Sequence, residues 1–92
     1  MNVTKRNLEA RLASLNRRME SRNSIYRYEL EYANGRTGLI RTRSIQEYVE
    51  GELVTKVVHH SDVRYGTKGQ ILEFTYAMMV ALDDADYILP SL

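Results

Sequence analysis

Residues 26–43, YRYELEYANGRTGLIRTR, decide the fold of this 92-residue chain. From Ile25 to Ala33, large apolar or aromatic residues alternate with charged ones, which is the period-two pattern of a half-buried β-strand. Asn34-Gly35 follows at once and favours a type I′ turn, because both residues tolerate a positive φ. The stretch therefore predicts an antiparallel hairpin over about residues 25–43. The predicted cross-strand pairs are Tyr32 with Thr37, Leu30 with Leu39, Tyr28 with Arg41, and Tyr26 with Arg43.

An amphipathic helix is predicted before the hairpin, from about Lys5 to Arg22, with Thr4 as its N-cap. Its apolar side chains recur every three or four residues, which places them on one stripe. They are Leu8, Leu12, Leu15 and Met19. This stripe either packs on the core of its own domain or also pairs with a second copy of the chain. Arg11, Arg18 and Arg22 run along one edge, where they either cover the stripe with their alkyl stems or contact a partner.

A second long helix is predicted near the end of the chain, from about Lys68 to Ala85, where Thr67 and Gln70 match a capping box. The helix is apolar around most of its circumference, so we expect it to be buried on more than one side. It lies either against the sheet and the first helix together or, in addition, in a subunit interface. The apolar tail, Tyr87 to Leu92, is expected to dock on its own domain or on a neighbouring molecule.

The segment between the hairpin and the last helix is ambiguous. Ser44 to Glu47 matches a capping box and favours a short helix that ends near Gly51, with an irregular edge strand as the alternative. Residues 53–60, LVTKVVHH, are rich in β-branched side chains and predict a third strand, followed by a connection over residues 62–66. The sequence thus predicts one α+β domain over residues 1–92, with a three-stranded antiparallel sheet and both long helices packed on one of its faces. The other face would carry Arg27, Glu29, Glu31, Ile40 and Thr42.

The formal charge of the chain is divided between its two halves. Residues 1–43 carry ten Arg or Lys and four Glu, a balance of +6, whereas residues 44–92 carry three Arg or Lys and eight Asp or Glu, a balance of −5. Such a domain can present patches of opposite potential that attract partners. Arginines outnumber lysines, and arginine makes forked contacts with phosphates and carboxylates. We therefore expect the basic half to form a docking surface that is open to water.

One candidate partner-binding cluster lies on the hairpin. It comprises Tyr26, Tyr28, Arg41 and Arg43. Tyrosine rings stack on bases, and arginines neutralise phosphates, so this surface suits a nucleotide or a single-stranded nucleic acid. The alternative is that these side chains only stabilise the hairpin through packing and cation–π contacts, beneath the helices.

A second candidate cluster is acidic and lies at the C-terminal end of the last helix. It comprises Asp83, Asp84 and Asp86. Acids at a helix C-terminus oppose the helix macrodipole, which favours cations there. They indicate a positively charged partner, which is the arginine edge of another copy, an outside protein or a hard divalent ion. The alternative is a frayed helix end in solvent.

Catalytic motifs are absent from the sequence. There is no cysteine, which excludes thiolate nucleophiles and disulfides, and the glycines form no phosphate loop. His59-His60-Ser61-Asp62 contains metal-ligating residue types, but adjacent strand residues point to opposite faces. Only His60 and Asp62 are expected to share a face, which is too few ligands for a closed zinc site. We expect no enzymatic activity, no metal and no cofactor.

The stretches LEARLASLNRRMES (residues 8–21) and YRYELEYANGRTGLIR (residues 26–41) give the chain a family resemblance. It resembles the short accessory proteins of tailed bacteriophages, many of which have a basic amphipathic helix, a tyrosine-rich hairpin and a closing helix. The resemblance implies a host-takeover or anti-defence protein that binds and disables, or redirects, a host component. Targets in that class include CRISPR effectors, other defence enzymes, transcription machinery and signalling nucleotides.

We therefore expect a non-enzymatic, phage-encoded binding protein that inhibits a host macromolecule such as a CRISPR or other defence effector. It would be a homodimer formed by the last helix and tail, and its partner would be a host protein or nucleoprotein complex. The alternative is a protein that sequesters nucleic acid or a nucleotide with the hairpin Arg and Tyr side chains. We expect it in the host cytoplasm and away from membranes, since the sequence has neither a signal-peptide run nor a membrane span of ~20 apolar residues.

Overall fold

The computed structural model describes residues 3–88, and the side chains of residues 3–85. The architecture is α+β, as predicted, with two helices beside a three-stranded antiparallel sheet of order β1-β2-β3. The elements in chain order are α1 (Lys5–Ser21), β1 (Tyr26–Ala33), β2 (Arg36–Val49), β3 (Glu52–Gly66) and α2 (Lys68–Ile88). The predicted docking of the tail involves residues 87–92, whose side chains lie outside the described part of the chain.

The first hairpin has the predicted register at every pair, from Tyr32 opposite Thr37 to Tyr26 opposite Arg43. Asn34 and Gly35 have φ values of 53° and 73°, as a type I′ turn requires. This turn matches the right-handed twist of the strands that it joins. The hairpin is therefore determined by local sequence chemistry alone.

The segment after the hairpin is a strand, so the favoured short helix is wrong. Residues 44–49 continue β2 without interruption, and Glu50-Gly51 forms a second two-residue turn with φ values of 51° and 82°. β3 starts directly after this turn and continues to Gly66, so residues 62–66 are strand and not a connection. The capping-box match does not produce a helix here, because a cap satisfies only one or two backbone N–H groups. Pairing with β3, in contrast, extends the hydrogen-bonded ladder along all of residues 44–49.

Both helices begin at the predicted residues. The hydroxyl of Thr4 accepts a hydrogen bond from the backbone N–H of Asn7 at 3.2 Å. The hydroxyl of Thr67 accepts one from the backbone N–H of Gln70 at 3.2 Å. The stripe of α1 packs on the inner face of the sheet together with α2, because these apolar surfaces can only leave water by meeting one another. The buried apolar core comprises Leu8, Leu12, Leu15, Met19, Tyr28, Leu39 and Ile71.

The pairing of β2 with β3 is irregular near its middle. Leu39 lies opposite Arg64 and Ile40 opposite Asp62, so Val63 is an extra residue in β3. Arg41 lies opposite Ser61 and Thr42 opposite His59, so His60 is a second extra residue within the described strand. β-Bulges of this kind increase the local twist and redirect side chains.

The distal halves of β2 and β3 extend beyond the rest of the domain. β1 pairs with β2 only as far as Arg43, so residues 44–57 form a two-stranded ribbon, which we call the arm. The longest dimension of the molecule, 52 Å, matches the roughly 50 Å span of a 15-residue strand such as β3. The radius of gyration is 15.3 Å, compared with about 12 Å for a compact chain of this length. The arm makes the molecule elongated.

Candidate interaction surfaces

The arginine edge of α1 faces α2. Arg18 makes a forked contact with Asp83, with Nε 3.0 Å from Oδ1 and Nη2 3.3 Å from Oδ2. Arg11 donates to the carbonyl of Leu72 at 3.4 Å, and Arg22 donates to the carbonyl of Leu82. These arginines therefore bind one helix to the other. Their predicted role in partner binding remains a prediction, but their guanidinium groups already have intramolecular partners.

The acidic cluster contributes to the same contact. The cation expected opposite Asp83 is Arg18 of the same chain, and Asp84 is exposed. The side chain of Asp86 lies outside the described residues. A partner-binding role for Asp84 and Asp86 thus remains a prediction.

The tyrosines and arginines of the hairpin are brought together on the inner face of the sheet. Nε and Nη2 of Arg41 donate to the Tyr28 hydroxyl at 3.3 and 3.1 Å. The guanidinium of Arg41 also lies 5.4 Å from the ring centroid of Tyr26 and 5.5 Å from that of Tyr28. Tyr28 is only 4% exposed, so Arg41 provides the hydrogen-bond partner that the buried Tyr28 hydroxyl needs. Arg43 is exposed, and binding of a nucleotide at this cluster remains a prediction.

The histidine motif is rearranged by the bulge in β3. His59, not His60, contacts Asp62, with Nε2 2.8 Å from Oδ1. The expectation that His60 and Asp62 share a face is wrong, because the extra residue reverses the alternation. The ring of His60 instead meets Tyr26 edge-on at 5.0 Å. Within residues 3–85, no three His, Asp or Glu side chains are grouped closely enough to hold a metal ion.

The face of the sheet that points away from the helices, here called the outer face, carries a three-strand contact. Tyr65 lies across Gly38, and its hydroxyl donates to Glu31 Oε2 at 2.8 Å. This hydrogen bond, with lesser effects from desolvation and nearby carboxylates, raises the pKa of Tyr65 above its usual value of 10.0. Thr42 was expected to be visible on this face, but it is buried and its hydroxyl donates to the Arg27 carbonyl at 3.3 Å.

The arm carries the most exposed apolar surface in the described chain, and sequence reasoning missed it. Tyr48 and Leu53 form a cross-strand pair on the outer face and are 76% and 53% exposed; Val57, on the same face, is 61% exposed. None of the arm residues belongs to the hydrophobic core or packs against it. The signal that could have revealed the arm is Glu50-Gly51, a turn dipeptide between two β-prone runs.

The other face of the arm is mixed. Ile45 and Val54 alternate there with an ion pair in which Lys56 Nζ lies 3.5 Å from Glu47 Oε1. Such exposed charges on a projecting ribbon discourage edge-to-edge aggregation. The outer face, with its more exposed Tyr48, Leu53 and Val57, therefore differs from the mixed inner face.

Neither helix, over the residues that the structure describes, combines the length and apolar character needed to cross a membrane. Comparisons with protein-family models, curated proteins and solved structures found no match to this chain.

Proposed function

We propose that this chain is a non-enzymatic binding protein that docks the outer face of its arm on a protein of the host cell and thereby blocks that protein. The observation that carries the proposal is the position of Tyr48, Leu53 and Val57. They lie on a ribbon that extends past β1 and both helices, with more than half of each side chain in water. A protein partner is the occupant whose chemistry matches an apolar, aromatic patch with a polar border.

The energetics of the arm support a role in binding. An isolated two-stranded ribbon is only marginally stable in water, and the arm has no helix against it to supply a core. Burying the exposed remainder of each of the three side chains contributes on the order of 1 kcal/mol. A partner surface would therefore stabilise the arm and gain affinity from the same contact. Tyrosine is also among the residue types that most often dominate binding energy at interfaces.

The strand edges of the domain support the same assignment. The outer edge of β1 is covered at Tyr28, because the Asn16 side chain donates to the Tyr28 carbonyl at 2.9 Å and accepts from its backbone N–H at 2.8 Å. In contrast, the edge of β2 from Ile45 to Val49 has no neighbouring strand in the described chain. Open edges of this kind accept a strand from a partner protein. The arm thus offers both an apolar face and unpaired backbone groups.

The resemblance to phage accessory proteins supports a host protein or nucleoprotein as the partner, and a CRISPR effector or another defence enzyme is the kind of target that we propose. Inhibition would be steric. A projecting arm roughly 20 Å long, at about 3.3 Å per residue for the six residues 44–49, can enter a cleft and keep a substrate out.

A matched pair of variants tests the docking face. Tyr48→Thr/Leu53→Thr/Val57→Thr removes the apolar outer face, and Ile45→Thr/Val49→Thr/Val54→Thr makes three similar changes on the inner face of the same arm. Immobilised wild-type protein, both variants and a blank are exposed to a bacterial lysate, and retained proteins are identified by mass spectrometry. The partner is then purified, its affinity for each form is measured by calorimetry, and its activity is assayed with and without the protein.

We expect the outer-face variant to bind the purified partner at least tenfold more weakly than the inner-face variant does, and wild-type protein to inhibit the partner. Equal affinity of both variants would contradict the docking face. A partner that binds but retains full activity would contradict the inhibitory role. Circular dichroism verifies that both variants keep the sheet.

A further inference from the structure

A cationic cleft lies at the end of the molecule opposite the tip of the arm. It has a volume of about 250 Å³ and is formed where the turn of the first hairpin approaches the starts of both helices. The residues that line it are Lys5, Tyr32, Ala33, Asn34, Gly35, Arg36, Thr37 and Lys68. They come from α1, the β1–β2 hairpin and α2, so only the tertiary structure brings them together.

The charges in this cleft are of one sign. Lys5, Arg36 and Lys68 line it, and no Asp or Glu does. The side chains of Arg36 and Lys68 have no hydrogen bond or ion pair within the described residues, and Lys5 Nζ lies over the Tyr32 ring, 4.4 Å from its centroid. The arginines between α1 and α2, in contrast, have intramolecular acceptors. Desolvation and the nearby Glu9 carboxylate raise the pKa of Tyr32, so one acid lies close to the cleft, although it does not line it. The three lining cations still repel one another, and a bound anion lowers that cost.

The helix starts add to the positive potential. Lys5 and Lys68 are the first residues of α1 and α2, and neither helix has an acidic residue in its first turn. A helix N-terminus carries roughly +0.5 elementary charge, which acids in the first turn usually offset. Here the first residue of each helix is itself cationic. The helices thus reinforce the charge of the cleft without being its only source.

We propose that this cleft binds the phosphate group of a small phosphorylated ligand or of a nucleic-acid end. The forked guanidinium of Arg36 and the ammonium of Lys68 are the donor types that recognise phosphate oxygens. The volume is below the roughly 300–1,000 Å³ of pockets that enclose drug-sized ligands, so the cleft holds a phosphate or diphosphate and leaves the rest of the ligand outside. The exposed ring of Tyr32 borders it and offers a surface for a base.

This site is independent of the docking arm, because Arg36 and Val49 are the two ends of β2. Loss of phosphate binding would leave the proposed protein-docking function standing, and the reverse also holds. The chemistry resembles that expected for the Arg41 cluster, but the residues are different.

The test is a titration of ¹⁵N-labelled protein with pyrophosphate at low ionic strength, followed by two-dimensional NMR. We expect saturable shifts in the amides of Gly35, Arg36 and Lys68. The variant Arg36→Gln/Lys68→Gln should bind at least tenfold more weakly. Arg17→Gln/Lys56→Gln, which removes the same charge from exposed positions elsewhere, should change the affinity less than twofold. The spectra themselves report whether each variant is folded.

Two further titrations distinguish the source of the phosphate. Thymidine diphosphate represents a small ligand, and a short single-stranded oligothymidylate with a 5′-phosphate represents a nucleic-acid end. Saturable shifts at the cleft with either probe support the proposal and identify the preferred source by affinity. The proposal is overturned if no probe shifts these amides, or if both double variants weaken binding equally, which would indicate diffuse attraction to the whole basic surface.

Discussion

Gly38 lies beneath an aromatic ring on the outer face of the sheet. A Cβ atom at this position would lie 2.5 Å from Cε1 of Tyr65, which is far inside van der Waals contact. The ring can stay over the glycine and reach Glu31 only because position 38 has no side chain. This packing of an aromatic over a strand glycine compensates for the side chain that glycine lacks.

We predict that Gly38→Ala destabilises the protein by about 1 kcal/mol, because Tyr65 must move and lose its packing and its bond to Glu31. Thermal unfolding measures the change. In a Tyr65→Ala background the same substitution should cost less, since the clash is absent. The control is Gly69→Ala in α2, where the nearest atom is 3.9 Å from the new Cβ and a gain of about 0.5–1 kcal/mol is expected. Equal costs for Gly38→Ala in both backgrounds would contradict the ring contact.

The hydrogen bond between Tyr65 and Glu31 predicts a pH dependence. It raises the pKa of Tyr65, so its contribution to stability is present below the unfolded value of about 10 and is lost as pH rises through the folded pKa. A ¹³C NMR titration of the tyrosine Cζ resonances should give a higher pKa for Tyr65 in the wild type than in Glu31→Ala. Glu29→Ala, which removes the same charge two residues away, should lower it less. An unchanged pKa in Glu31→Ala would refute the assignment.

At the scale of secondary structure, the arm is an element without a core of its own. Its register depends on the Glu50-Gly51 turn, and Gly51 has a φ of 82°, which side-chain-bearing residues rarely adopt. Nothing lies within 4 Å of a Cβ at Gly51, so a substitution there changes only the backbone preference. The arm and the sheet beneath the helices are thus expected to open with different free energies.

We predict that Gly51→Ala destabilises the arm locally by about 1 kcal/mol while leaving the packed sheet unchanged. Native-state hydrogen exchange should become about fivefold faster for amides at residues 45–57 and stay within twofold for Tyr28 and Leu39. Uniformly faster exchange along the whole of β2 would contradict a separately opening arm. In that case the arm and the packed sheet would form one cooperative unit.

At the scale of the whole molecule, the arm is not the only apolar surface left after folding, because the outward side of α2 is apolar as well. The latter includes Tyr76 and Val80, which are exposed in spite of the contact between Arg11 and the Tyr76 ring at 5.3 Å. α2 lies against α1 and the sheet on one side, so its other side is available to a second copy. Small domains frequently gain stability through such association.

We predict a homodimer formed through α2. Sedimentation equilibrium should give the mass of two chains, and Tyr76→Ser/Val80→Ser should shift the protein to monomer. The outer-face arm variant should stay dimeric, because the three apolar residues that it replaces are proposed to contact a host protein and not a second copy. A wild-type monomer at high concentration would end the prediction. Dissociation by the arm variant alone would move the interface to the arm.

The features that could be predicted from sequence are those that depend on residues close together in the chain. The register of the first hairpin follows from alternation and from Asn34-Gly35, and both helix starts follow from a hydroxyl and an amide three residues apart. The path of residues 44–49 could not be predicted, because a capping box and a strand compete there and the partner strand decides. The partner of Asp62 could not be predicted either, because the bulge at His60 depends on how β3 fits β2.

The sequence by itself determined the α+β class, the first hairpin and the starts of both helices, since each depends on residues that are close together in the chain. Tertiary structure alone decided which charged side chains pair with groups of the same chain and which remain available to a ligand. Arg18 meets Asp83 across 65 positions, and Lys5, Arg36 and Lys68 share a cleft although they are far apart in the chain. Such contacts depend on how helices and strands pack, because packing brings together residues whose separation in the sequence carries no signal.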